Sequence, residues 1–273
     1  MLIVSLLGAL AAAVCFGLAT VLQAIGMRRA ESLAKAVLTW PLIVGVGLDL
    51  LGFVFELAAL RHLPLFLVQA AVASSLAVTA IAASMTMGER LGRRDWVAIG
   101  AVCVGLGALG LSAGPEGASR ASNAFYWSLA AALIAIGVVG LILARLPGEP
   151  RTLALGLCAG LCFGILALAS RTLPSLSPGD LLGEPAAYLI AGSGLVAFLI
   201  WTRALASGKV TTATAAMVIG QTVLPAAVGV LVLGDQARPG FVPVAVVGFL
   251  LAVGGALALA RYGDVQPETT AVP

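Results

Sequence analysis

The sequence predicts an all-α integral membrane protein with nine transmembrane helices. Two properties of the 273-residue chain carry this prediction: 61% of its residues are hydrophobic and only 10% are charged. Soluble domains have about 25% charged residues, so this chain has too little charge to cover a surface in water. In addition, nine apolar stretches follow one another, each near the roughly 20 residues that a spanning helix needs. They cover residues 3–26, 40–60, 65–87, 96–113, 124–144, 152–170, 186–206, 210–233 and 241–260.

The first stretch resembles a secretory signal in its position and its apolar character. However, no Lys or Arg precedes it, and Val14 stands directly before Cys15, where a lipoprotein cleavage site needs a small residue. Signal peptides carry a basic amino-terminal region and a small-residue cleavage site. We therefore expect this stretch to be retained as span one.

The third stretch organises the chain. It has no charge from Leu65 to Met87, follows Pro64 and ends at Gly88-Glu89. Its 23 residues, at 1.5 Å per residue, are enough to cross a hydrocarbon layer of about 30 Å. The same outline returns 146 residues later in span eight, which runs from Val210 to Leu233 and is followed by Gly234-Asp235.

The other spans are joined by short connections that hold Pro, Gly and charged residues, and only 171–185 is long enough for a shape of its own. The polar tail after Tyr262 is expected to be disordered. The chain therefore divides into a first four-helix unit (1–113), a connector with span five (114–150), a second four-helix unit (151–261) and the tail (262–273).

The basic residues give the orientation of the chain. Nine spans place eleven Lys and Arg residues, among them Arg93, Arg145 and Arg203, on the face of the odd-numbered loops and the tail. The other face holds four: Arg61, Arg120, Arg171 and Arg238. The positive-inside rule then predicts a cell-membrane protein with its amino terminus outside and its carboxyl terminus in the cytoplasm.

The two halves show signs of an internal repeat. Cys15-Phe16-Gly17 in span one is echoed by Cys162-Phe163-Gly164 in span six, and spans two to four correspond to spans seven to nine. Because five helices separate each pair, the copies should be inverted in the membrane, as a 4+1+4 arrangement. Inverted repeats that meet near the bilayer midplane are typical of alternating-access transporters.

Two acidic residues lie inside span two. Asp49 is nine residues after Trp40, or about 14 Å into the span, and Glu56 lies two turns further on the same face. A charged side chain at the centre of a span costs at least about 2.5–3.5 kcal/mol on insertion scales. Each is a candidate proton carrier or cation ligand, metal ions included. The alternative is a structural acid that is hydrogen-bonded to a neighbouring helix.

Polar residues of other spans are candidates for lining the same pathway, although such side chains also serve as contacts between helices. We expect Asp49 to face an internal polar cavity that is lined by glutamines of spans one, three and eight. Proline in span eight frees a backbone carbonyl, and it either breaks the helix at a substrate site or only bends it. These candidates are Gln23, Gln69, Ser75, Gln221, Thr222 and Pro225.

Several features favour packing over chemistry. Gly156, Gly160 and Gly164 allow another backbone to approach span six, and the glycines of spans four and nine serve contacts inside the bundle or across a homodimer. The four cysteines all fall inside spans, and one histidine is too few for a histidine-based site. We therefore expect no enzyme, no cofactor and no nucleic-acid partner, only the lipid bilayer and a small-molecule or ion substrate.

Short motifs are spread along the chain. They are Ala58-Ala59-Leu60, Pro64, Leu67-Val68, Gly88-Glu89-Arg90-Leu91, Ala113-Gly-Pro-Glu116, Thr211-Thr212, Pro225 and Gly234-Asp235. With these motifs the chain resembles the drug/metabolite transporter superfamily, close to its nine-span magnesium-transporter-like (NIPA-type) branch, and its second half is similar to EamA-type repeats. The resemblance covers nearly the whole chain and implies small-molecule transport, and its NIPA-type side implies magnesium.

Two classes of function remain open. The first is a secondary transporter of a small polar solute or cation, with proton coupling or magnesium transport as its forms. The second is a non-transporting membrane component for assembly or lipid handling, in which the polar residues are structural.

Overall fold

The computed structural model describes residues 2–28, 39–87, 91–114, 121–145, 149–173, 183–205 and 210–260. Within these ranges the chain is almost entirely helical and has no β-strand, only one isolated antiparallel bridge between Ala113 and Ala237. The predicted all-α class is confirmed for the described residues. Three expectations lie outside them: the Gly88-Glu89 ending of span three, most of the 171–185 connection, and the tail 262–273.

Ten helices follow one another along the described chain. Helices α1 and α2 correspond to spans one and two, α3 and α4 together to span three, and α5 to α10 to spans four to nine. Their bounds are α1 Leu2–Arg28, α2 Trp40–Ala59, α3 Leu65–Ala73, α4 Ser75–Met87, α5 Arg93–Ser112, α6 Asn123–Leu143, α7 Glu149–Arg171, α8 Pro185–Leu205, α9 Val210–Leu231 and α10 Val242–Ala258.

Seven helical segments are long and apolar enough to cross a membrane, counting α3 and α4 as one segment from Leu65 to Thr86. Two further apolar helices, Pro185–Trp201 and Val242–Ala258, are shorter. The described chain is thus a multi-helix membrane protein by length and composition, whereas a count of nine crossings stays a prediction.

Span three differs from its prediction in one respect, because it is not a single continuous helix. α3 ends at Ala73 and α4 begins at Ser75, with Ser74 between them. The Ser74 hydroxyl donates a hydrogen bond to the Ala71 carbonyl at 2.5 Å, in competition with the helical ladder. The Ser74 amide still donates to the Ala70 carbonyl at 3.1 Å and the residue keeps right-handed helical backbone angles, so the interruption is confined to this one residue.

The connections after spans two, four, six and eight meet at one end of the bundle. Arg61 donates to the carbonyl of Leu173 at 3.4 Å, the Leu65 amide donates to Asp235, and the amide of Gly114 donates to Gln236 at 3.0 Å. We call this the Arg171 end, after the basic residue at the close of α7. Consecutive spans therefore run in alternating directions.

Span three is the most buried segment of the bundle, and α6 is the least buried. α3 and α4 pack against α1, α9 and α10, while the largest helix–helix contacts join α1 to α2, α7 to α8, α7 to α9, and α5 to α10. The apolar core follows α3 and includes Leu60, Leu65, Leu67 and Leu168. Span three thus lies at the centre, as the sequence indicates, and α6 lies at the periphery.

Glycines permit the closest helix contacts. A Cβ atom at Gly156 or Gly160 would collide with the carbonyl oxygen of Ala213 or Met217 on α9, which confirms the predicted close approach to span six. In span four, a Cβ at Gly105 would lie 2.5 Å from the backbone nitrogen of Ala252 on α10. These particular contacts lie inside the bundle, so Gly105 serves the packing of spans four and nine.

Candidate functional site

The first acidic residue, Asp49, is held by Gln23. The Gln23 side-chain amide donates a hydrogen bond of 2.6 Å to Asp49 Oδ2, and it joins spans one and two. Gly45 lies one turn before Asp49, and a Cβ there would come within 2.8 Å of Gln23 Cγ. The missing side chain at Gly45 therefore leaves the space through which Gln23 reaches the carboxylate.

The second acidic residue, Glu56, is held by Gln69 of span three. The amide of Gln69 donates to Glu56 Oε1 over a long 3.4 Å, and both residues are buried, with 7% and 2% of their surfaces exposed. On the same face of α2, a Cβ at Gly52 would lie 2.9 Å from the ring of Phe16. Glycines and acids thus alternate along this face, so that the glycines admit side chains of neighbouring helices.

The two carboxyl groups form two sites. Seven helical residues separate Asp49 from Glu56, a rise of about 10 Å, so one small ion does not contact both directly. Sequence reasoning expected Gln69 to share the surroundings of Asp49, but the hydrogen bond of Gln69 goes to Glu56. Asp49 and Glu56 each have one carboxamide partner.

Neither carboxyl is paired with a basic side chain of the described residues. A buried ion pair joins Arg171 and Asp235, far along the sequence from span two. Among the same residues, no group of three or more His, Cys, Asp or Glu side chains is placed to hold a metal. The predicted metal role of Asp49 and Glu56 therefore rests on one carboxylate and one amide at each position.

The candidates of span eight stand apart from these pairs. Gln221 is half-buried and has no hydrogen bond to Asp49 or Glu56. Thr222 is fully buried, and its hydroxyl oxygen forms no hydrogen bond with any described residue. Proline has no backbone N–H, so Pro225 leaves the carbonyl of Gln221 without its usual helical donor.

Pro225 does not interrupt span eight, since α9 continues past it to Leu231. Its ring packs against Gly164, where a Cβ would lie 2.8 Å from the proline Cγ. Ser75 is half-buried at the start of α4, next to the interruption at Ser74, and its carbonyl accepts the Thr79 hydroxyl at 3.0 Å. The interruption of the central helices thus lies in span three, beside Ser75, and not at Pro225.

A second polar cluster lies at the Arg171 end, and sequence reasoning assigned it no role. Arg171 Nη2 lies 3.4 Å from Asp235 Oδ1, and both side chains are buried, with 1% and 0% exposed. The other oxygen of Asp235 accepts the backbone amide of Leu65 at 2.6 Å. Charged residues at the ends of two apolar stretches were the available signal. Arg171 contributed to the predicted orientation of the chain, and Asp235 marked a helix boundary and formed part of a family motif, but the two residues were not paired.

Chemically, each carboxyl–carboxamide pair can hold a proton or bind a cation. An amide N–H stabilises a carboxylate by a charge-assisted hydrogen bond, and it leaves the other oxygen of the carboxylate available. A guanidinium or ammonium partner would instead neutralise the charge and compete with a transported cation. The arrangement therefore favours positively charged ligands over anions.

Comparison with protein-family models, curated proteins and solved structures gave no significant match. The chain's own residues therefore provide the indication of what it does.

Proposed function

We propose that the protein is a secondary transporter of the drug/metabolite type, which moves a small cation, or a polar solute together with a cation, by alternating access. The observation that carries the proposal is the pair of acidic residues in α2, each hydrogen-bonded to a carboxamide and neither paired with a base. Transport through the cell membrane, with the amino terminus outside and the carboxyl terminus in the cytoplasm, is part of the same proposal.

The energetics of burial support a functional role for these acids. Glu56 is nearly inaccessible, and an ionised carboxylate in hydrocarbon costs at least about 2.5–3.5 kcal/mol on insertion scales. A hydrogen bond to a charged group contributes about 1.5–3 kcal/mol, and the bond from Gln69 to Glu56 is a long one at 3.4 Å. A carboxamide partner alone therefore does not offset an ionised acid, and the remaining charge is met by a bound proton or cation.

The packing of the two halves supports a repeat. A Cβ at Gly17 in α1 would lie 2.7 Å from the carbonyl of Ser75 in span three, and one at Gly164 in α7 would lie 3.4 Å from the carbonyl of Gly220 in span eight. The sequence repeat relates Gly17 to Gly164 and Ser75 to Gln221, the neighbour of Gly220, so the two glycines approach corresponding helices at positions one residue apart. Nine crossings with a peripheral fifth helix form the arrangement that we propose.

The directions of the helices also fit inverted copies. α1 begins near the Arg171 end, where a Cβ at Gly8 would lie 3.8 Å from the carbonyl of Phe55, whereas α7 finishes there with Arg171. Spans three and eight likewise run in opposite directions, since α3 begins and α9 ends beside Asp235. Antiparallel copies of one unit are the basis of rocking motions in alternating-access transporters.

Flux in proteoliposomes tests the proposal. The purified chain should carry cation-dependent current when a gradient of H⁺, Na⁺, Mg²⁺ or tetramethylammonium is applied in separate experiments. Asp49→Asn and Glu56→Gln keep the side-chain shape and remove the charge. Each should lower the current at least about tenfold, the factor that corresponds to about 1.4 kcal/mol of lost interaction.

Asp95→Asn is the matched control, because Asp95 is also a buried acid but accepts the Gly92 amide at 2.8 Å at the start of α5. Its current should equal that of the unmodified protein. Unchanged current in both span-two variants would contradict the proposal, and current only with Mg²⁺ would select the magnesium form. A folded protein with no current for any ion would favour the non-transporting membrane component.

A further inference from the structure

Asp235 is positioned by its own turn to reach across the bundle. α9 ends at Leu231, Gly234 adopts a positive φ of 79°, and the Asp235 amide donates to the carbonyl of Gly229 at 2.9 Å. A left-handed conformation of this kind favours glycine. The turn brings the carboxylate of Asp235 back over the end of span eight, toward the first residue of span three.

The contacts of Asp235 join the two halves of the chain. Its Oδ2 accepts the Leu65 amide at 2.6 Å, in the first half, and its Oδ1 lies 3.4 Å from Arg171, in the second half. The first amides of a helix have no partner within the helix, so Asp235 satisfies one that would otherwise need water. The start of the central span is therefore held to spans six and eight by one carboxylate.

This contact lies close to one of the candidate sites. Leu65 and Gln69 are one helical turn apart in α3, a rise of about 6 Å, and Gln69 holds Glu56. The contact between Leu65, Arg171 and Asp235 is thus one turn of α3 away from the hydrogen-bond partner of Glu56.

We propose that Leu65, Arg171 and Asp235 form a latch that holds the Arg171 end closed and that opens during transport. This inference rests on the proposed function, since a transporter must open each end in turn. The hydrogen bond from the Leu65 amide to Asp235 is the contact of this group that crosses between the halves, so it breaks when they move apart, while Arg171 stays beside Asp235 in the second half. Water then reaches the candidate site at Glu56.

The chemistry of the latch is better suited to a contact that opens than to a permanent contact. A buried ion pair loses the hydration of both charges, and apolar residues of similar volume often stabilise a fold equally well or better. When the halves separate, the carboxylate of Asp235 and the amide of Leu65 regain water while Arg171 remains beside Asp235, which lowers the cost of opening. An apolar contact gains nothing of this kind, because exposure of its surface to water is unfavourable.

Thiol labelling measures the opening without any need for transport. Ala169 is fully buried in the apolar cluster that also contains Leu65 and Leu233, two residues before Arg171. In a background that lacks the four native cysteines, Ala169→Cys in lipid nanodiscs is exposed to a membrane-impermeant maleimide. Labelling should be slow while the latch is closed.

Asp235→Asn keeps an oxygen for the Leu65 amide and removes the charge that faces Arg171. It should raise the labelling rate about tenfold or more, as expected when one charge-assisted hydrogen bond is lost. Arg171→Lys keeps the charge but not the guanidinium geometry, and it should give an intermediate rate. Asp95→Asn, at the other end of the bundle, should leave the rate unchanged.

Equal labelling in Asp235→Asn and in the parent would overturn the proposal, and so would an effect of Asp95→Asn as large as that of Asp235→Asn. If Asp235→Asn does not fold, Arg171→Lys decides: a faster rate supports the latch, and an unchanged rate identifies the contact as a permanent link. The labelling result and the transport result can be told apart. Faster labelling of Ala169→Cys in the Asp235→Asn variant supports the latch even if the protein carries no ion current, and the absence of current then counts only against the proposed transport function.

Discussion

The two ends of the bundle use arginine differently. At the Arg171 end, the described arginines bond to the protein: Arg61 to the Leu173 carbonyl, Arg171 to Asp235, and Arg238 to the Ala113 carbonyl at 3.0 Å. At the opposite end, Arg93, Arg94, Arg145 and Arg203 are exposed and Arg151 is half-buried, while Arg238 at the Arg171 end is also exposed. Arg203 donates only to Leu199 in its own helix.

This difference separates two roles of positive charge in a membrane protein. Exposed arginines in short loops set the orientation during insertion, and their excess on one face is the basis of the predicted topology. The fewer arginines at the Arg171 end form links between helices that are distant in sequence. An arginine whose side chain bonds to other protein groups is compatible with a position at the extracellular end, because it stabilises the fold and does not set the orientation of the chain.

The largest expected effect concerns which end of the bundle faces the outside of the cell. A cysteine is either accessible to an impermeant reagent from the outside or it is not, so the labelling difference between the two ends should be complete. In a background without native cysteines, Ser122→Cys, which follows the connection after span four, should react with an impermeant maleimide in intact cells. Arg145→Cys, at the exposed end of α6, should react only after the membrane is permeabilised. Both positions are exposed, so burial does not explain a difference between them.

The reverse labelling pattern would invert the predicted topology and place the Arg171 end in the cytoplasm. Labelling of both positions in intact cells would mean that α6, the one span between them, does not cross the membrane.

A smaller effect is expected from two glycines, one at each end. At Gly114, a Cβ would lie 2.6 Å from the Gln236 carbonyl oxygen, so Gly114→Ala must push apart the connections after spans four and eight. Overpacking of this kind costs about 1–3 kcal/mol. At Gly92, the nearest atom to a Cβ is Asp95 Oδ2 at 3.5 Å, an ordinary contact, and Gly92→Ala should have a much smaller effect.

Unfolding in mixed detergent micelles, followed by the fluorescence of the four tryptophans, measures this difference. Equal losses of stability in the two variants would show that the Arg171 end is not packed more closely than the other. The substitution at Gly114 should also speed the labelling of Ala169→Cys, because it separates the connections that close this end.

The helices could be predicted from the sequence because their ends carry local signals. Pro, Gly and charged residues mark most boundaries, and the predicted span 186–206 corresponds to a helix at Pro185–Leu205. The interruption at Ser74 carries no such signal, since no Pro, Gly or charged residue lies near it between Leu65 and Met87.

The acidic residues of the site could be predicted from the sequence, but the amide that bonds to each of them could not. The cost of an acid in a span singles out Asp49 and Glu56 from sequence alone. Which amide each one meets depends on the helices that lie next to α2, and the structure pairs Gln69 with Glu56 although an environment around Asp49 was expected. The pairing of Arg171 with Asp235 spans 64 residues of chain and follows from tertiary packing, so no local pattern indicates it.

The most direct measurement of cation binding in span two is thermal stabilisation of the purified protein by cations. A ligand that binds only the folded state stabilises it by about 2.7 kcal/mol at a concentration of 100 times its Kd. At least one of H⁺, Na⁺, Mg²⁺ and tetramethylammonium should raise the melting temperature of the unmodified protein and of Asp95→Asn. The double variant Asp49→Asn/Glu56→Gln should lose this response, and an equal response in the double variant would contradict a cation site at these two acids.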